Sequence, residues 1–249
     1  MNELAMNTMQ YNLYPSIINY GSENIATIQS PNSDMDLLFY QTRETLADVD
    51  VYRNFLKNAE RRFRSSKEYK AYKHFIIEYL GIDRCQIMGN ITVEDAEIEL
   101  HHNVLGLLDI CLLISSHIIN TIGRITTFDL VQLLIQEHKN NRVGITFLCS
   151  TAHQQFTHDP NAYIPPDMTF GRWWELLSLY RYGITYEIAN KVISYINKYN
   201  KQLPTTINIL QNEEILSYAY YNEYGVPSSQ IGSLPYKEEY QNQYTGEVY

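Results

Sequence analysis

Two stretches, EIELHHN (residues 97–103) and LCSTAHQQFTH (148–158), hold four of the chain's seven histidines. In the first, Ile98 and Leu100 alternate with Glu97 and Glu99, the period-two pattern of a half-buried strand, so AEIELHH (96–102) is predicted to be a β-strand. The second opens at the end of VGITFLC (143–149), a short continuous apolar run that reads as a buried strand. Residues 150–158 then read as a short helix, closed by Asp159-Pro160 because the residue before proline avoids helical dihedrals. Upstream, RCQIMGNI (84–91) is a further strand candidate, joined to 96–102 by the turn-length TVED.

Between the two histidine stretches lie VLGLLDICLLISSHIIN (104–120) and TFDLVQLLIQEHK (127–139), both helical in pattern, with Thr126, Thr127 and Asp129 as capping candidates for the second. A small strand–strand–helix core split by a helical insert (104–139) follows, within residues 82–166. Ahead of it, residues 1–43 are polar and aperiodic, an extended N-terminal arm with Pro15, Gly21 and Pro31. Residues 44–81 form a long helical segment in which Leu46, Val49, Tyr52, Phe55, Leu56, Ala59 and Phe63 keep three–four spacing, with Gly81 as its stop. Residues 167–221 read as a helical lobe, broken near Gly183 and resuming after Pro204 with a last helix around 207–221. Residues 222–249 are a Pro-, Gly- and Tyr-rich acidic tail that cannot build a core of its own. The fold class is α+β: mostly helical, with a small split core and an arm at each end.

The net charge is −9, against the basic footprint of a free-standing DNA binder. Any such footprint must be local. It is found between Arg53 and Lys73, where eight basic side chains face two acidic ones. Arg61, Arg62, Arg64, Lys67 and Lys70 are the candidates for tracking a phosphate backbone; a solvated helix face is the bland alternative. Cys85, Cys111 and Cys149 form no CxxC pair, so a disulfide framework or thiolate zinc site is not expected, and Cys85 and Cys149 read as small core residues. MNELAMNTMQ lacks a basic segment followed by an apolar one, so no secretory signal is expected. The apolar run 104–120 carries Asp109, Ser115, Ser116 and His117, as a buried helix does and a membrane span does not.

The histidine-bearing strands and helix resemble the HNH-type nucleases, the ββα-metal fold. Glu99-Leu100-His101-His102 resembles the motif of the colicin-type members, Leu148-Cys149 with His153 and His158 resembles its second half, and the insert resembles phage-encoded members. The resemblance covers roughly residues 84–166. It implies a metal-dependent DNA endonuclease in which His102 is the general base and His101, His153 and His158 hold one divalent ion, Zn or Mg/Mn/Ni. The chemistry suits the residues. A phosphodiester needs a Lewis acid on its oxygens and a base to deprotonate water, and adjacent strand residues point to opposite faces, so two neighbouring histidines serve two places. Two departures stand out. His153 and His158 are five apart, which turns them roughly 140° from each other on a regular helix. The asparagine that such motifs place ahead of the helix falls on Gly144.

A second function class is carried by the ends. Eight of the 22 tyrosines lie between Tyr218 and Tyr249 among glutamates, and tyrosine supplies large contact area with one polar handle, as interfaces favour. Arms that lace neighbouring virion proteins together, as in a head–tail connector ring or another homo-oligomer of a phage particle, would use such ends. The expected partners are thus DNA or neighbouring virion proteins, with no membrane, and the expected location is the host cytoplasm or the phage particle. His74, His117 and His138 read as ordinary core or surface histidines, and Trp173 and Trp174 as packing residues.

Overall fold

The computed structural model describes residues 40–158, 164–203 and 209–224. Residues 1–39, 159–163, 204–208 and 225–249 lie outside the described residues, and with them most of the expected N-terminal arm and Tyr-rich tail.

The helical segment begins with β1 (Gln41–Thr42) and a 3-10 turn at Thr45–Ala47, then divides into α1 (Val49–Ser65) and α2 (Lys67–Glu78). Asp48 caps α1 by accepting from the N–H groups of Asp50 and Val51. Ser66 explains the break: its extended backbone ends α1, and its side chain caps α2 through the N–H of Tyr69. Phe55, Leu56, Ala59 and Phe63 form the buried stripe of α1, while its opposite face carries the basic residues.

β2 (Ile98–His102) is followed by the insert: α3 (Leu107–Thr121), β3 (Arg124–Ile125), which pairs with β1, and α4 (Thr127–Lys139). Thr126 and Asp129 form the expected reciprocal capping box at the start of α4. α3 is buried on most sides, with Leu113, Ile114 and Ile118 fully enclosed, and no helix among the described residues is long and apolar enough to cross a membrane. The chain then returns as β4 (Ile145–Cys149), antiparallel to β2 with His101 opposite Thr146 and His102 opposite Ile145. α5 (Ser150–His158) follows directly and packs across both strands. The molecule is therefore α+β, with a strand–insert–strand–helix unit as its small β element.

The strand predicted over residues 84–91 is corrected. Only Arg84 bridges, to Thr92, and the rest is a tight knuckle closed by the Cys85 N–H to the Ile91 carbonyl at 2.8 Å. The knuckle still docks on β4. The Gln86 N–H donates to the Phe147 carbonyl, and the Gln86 amide oxygen accepts the Phe147 N–H, each at 2.8 Å. One side chain thus does a strand's hydrogen bonding. Further along the same edge, Ile145 exchanges both backbone hydrogen bonds with Phe170.

In the C-terminal lobe, α6 (Trp173–Leu179), a 3-10 turn at Arg181–Gly183 and α7 (Tyr186–Tyr199) lead to α8 (Asn212–Tyr224). α8 runs beyond the helix end expected near 221, so residues 222–224, assigned to the tail by composition, are helical. Gly183 lies against α3 so closely that a Cβ there would sit 1.8 Å from the Leu113 carbonyl oxygen. A buried polar network ties the lobe to the insert. Glu137 on α4 accepts from Arg142 at 3.0 Å and from the Tyr180 hydroxyl at 2.9 Å.

Candidate functional site: the histidine strand and its two faces

β2 sorts its residues by parity. Ile98, Leu100 and His102 are buried on one face, while Glu99 and His101 are half-exposed on the other. On the open face His153 of α5 meets them. Its Nδ1 lies 2.8 Å from Glu99 Oε2, and its ring stands edge-on to that of His101 at 5.2 Å between centroids. Burial, and after it the neighbouring His153, hold His101 down to about 4, so it is a neutral imidazole at neutral pH. The structure thus brings His101 and His153 together, as expected, and adds Glu99, which the sequence reading had left out. The signal was available: residues i and i+2 of a strand share a face.

His102 goes the other way, and the expectation of a base facing solvent is corrected. Its ring is buried, and its Nε2 lies 2.9 Å from Nε2 of His138, which is itself enclosed. The protons can be placed. His138 Nδ1 lies 2.7 Å from the Leu134 carbonyl, which only accepts, so that nitrogen carries the hydrogen. In a neutral ring Nε2 of His138 is then bare and accepts from Nε2–H of His102. Phe63 at 4.5 Å and Tyr72 at 5.6 Å close the cage around His138. Burial pushes both imidazoles down, His138 to about 4 and His102 well below its ordinary value, with His138 as the next cause for His102. A base that must reach water and phosphate cannot work from there.

The implied ion is not completed by the described residues either. His153 engages Glu99 through Nδ1, and among the described residues no group of three His, Cys, Asp or Glu side chains is disposed to hold a metal. His158 is the last residue of α5, and its side chain lies outside the described residues.

The glycine in the asparagine slot has a structural cause. A Cβ on Gly144 would sit 2.6 Å from the Asn103 carbonyl oxygen, and the Asn103 N–H donates to the Gly144 carbonyl at 3.0 Å. The backbones are too close for any side chain. A buried amide does brace the following loop, but it is Asn103, which donates to the Ile164 carbonyl at 3.1 Å and the Thr169 hydroxyl at 2.6 Å.

Arg61, Arg62, Arg64, Lys67 and Lys70 are all exposed on α1 and α2. Arg64 pairs with Glu60 at 3.0 Å and Arg61 donates to Asn58 at 2.9 Å, which ties them to their own helix. Beside α2 an open cleft of about 480 Å³ is lined by Lys67, Lys139, Tyr72 and Phe75 together with Glu68.

Residues 5–223 match the family model described as Bacteriophage G278-like virion protein. No curated protein and no solved structure matches the chain.

Proposed function

The chain belongs to the family of G278-like bacteriophage virion proteins, and on that premise we propose that it is a structural subunit of the phage particle. Its arms hold neighbouring virion proteins or further copies of itself, and its strand–insert–strand–helix unit serves as scaffold. The observation that carries this reading is the family match over residues 5–223, and what weighs against a nuclease is the His102–His138 bond inside the core. The residue that would have to be a solvent-facing base is spent on packing. The family match includes most of the N-terminal arm, from residue 5. Residues 1–39 hold Glu3, Glu23, Asp34 and Asp36 and no lysine or arginine, which suits a basic face on a neighbour.

The test is mass spectrometry of density-banded particles from an infection complemented with either the full chain or a chain lacking residues 1–39. The full chain is expected in the particles at fixed stoichiometry, and the truncated chain is expected to fold yet be lost from them. A chain found only in the soluble lysate would end the structural reading.

A second reading, metal-assisted cleavage of DNA phosphodiesters by an HNH-type site, is favoured by the Glu99–His153–His101 cluster. It requires His158 as a third donor and a base other than His102. Plasmid nicking that depends on added Mg, Mn, Ni or Zn and is lost in His153→Ala would support it; equal nicking by parent and variant would remove it.

A further inference from the structure

β4 presents its odd residues to the knuckle side: Ile145 bonds Phe170 and Phe147 bonds Gln86. Cys149 is next in that series. On the knuckle, the Met88 N–H donates to the sulfur of Cys85 at 3.5 Å. The Cys149 thiol in turn reaches the Met88 thioether at 3.6 Å. Cys149 lies opposite Ile98 in the register, on the other face of the strand pair from Glu99 and His101. Three sulfurs, from two segments about sixty residues apart, therefore gather outside the imidazole cluster.

Their chemistry is selective. Two thiols and a thioether are soft donors, matched to a soft monovalent cation and mismatched to Mg, and three of them fall short of the four ligands a structural Zn takes. The spacing fits too. An ion with metal–sulfur bonds of about 2.3 Å keeps its sulfurs roughly 3.8–4.0 Å apart, close to the 3.6 Å between Cys149 and Met88. Thiolate is the binding form. Access exists from one side: Cys85 and Cys149 are enclosed, whereas Met88 is 49% exposed. We infer that Cys85, Met88 and Cys149 form a three-sulfur site for a soft monovalent cation, Cu(I) or Ag(I).

The test is an anaerobic titration of the reduced full-length chain with Cu(I) in competition with a chromophoric chelator, followed by the sulfur-to-copper absorption and by melting temperature. One ion per chain is expected, with a rise in melting temperature from binding the folded state alone. Met88→Leu, at a half-exposed side chain that leaves folding intact, should weaken binding by about tenfold or more, the loss that even an outer-shell change causes. Cys85→Ser should remove the site. Cys111→Ser should leave it unchanged, because that thiol is buried in α3 and pushed up by burial. Unaltered uptake by Met88→Leu and Cys85→Ser, or equal retention of Zn(II), would overturn the inference. So would a reduced chain that takes up no ion while oxidation yields only a Cys85–Cys149 disulfide, two mass units lighter.

Discussion

His101 and His102 are neighbours in sequence and opposites in circumstance. One stands beside a carboxylate and a second imidazole on a half-open face; the other is bonded to His138 inside the core. The pleat of one strand makes the difference, since a shift of one residue exchanges the faces of every side chain. Chemical capability therefore resides in position on the pleat, and a doubled histidine is two different residues.

The contrast can be broken most forcefully from the buried side. His102→Ala should cost about 2–4 kcal/mol, because it leaves a small cavity and strands the accepting nitrogen of His138. His101→Ala should cost under about 1 kcal/mol. Chemical denaturation of the two variants decides it, and equal losses would erase the distinction drawn here. Acid offers the next test. The folded chain keeps both buried imidazoles neutral, whereas the unfolded chain takes up protons near pH 6.5. Stability is therefore complete above about pH 6.5 and falls as pH drops towards 4, by roughly 3 kcal/mol for His138 alone. Denaturant midpoints measured across that window should decline, and a flat profile would refute the buried pairing. Gly144→Ala should cost about 1–3 kcal/mol by forcing Asn103 away, read as a lower melting temperature. Smallest of all, Glu99→Gln should change stability by less than about 1 kcal/mol, since its bond to His153 lies on a half-open face where water screens it. A large loss there would mean that the open face is structural as well.

Much of this was legible in residues. Alternation around Ile98 and Leu100 gave β2, the apolar run gave β4, and Thr126 with Asp129 marked the start of α4. The divergence of His101 and His102 also followed from strand geometry, and parity with Ile98 and Leu100 put His102 on the core face, but how an imidazole is satisfied there was not legible. That depended on His138, 36 positions away in α4, which looked like a solitary core histidine because nothing local announces a partner across the insert. The knuckle at 84–91 was missed for a related reason. Its residues have strand propensity, and only the Gln86 side chain, by occupying the place of a backbone, reveals why no strand is needed. In the asparagine slot, Gly144 marked a departure in the sequence, while its cause lay in the backbone of Asn103.

Gln86 and Phe170 together leave β4 no free hydrogen-bonding row at Ile145 and Phe147. A neighbouring chain cannot extend the sheet by zipping a strand alongside there, and the runaway polymerisation that bare sheet margins invite is blocked on that side. Along that margin only side chains, and not the backbone of β4, remain to meet a neighbour at Ile145 and Phe147.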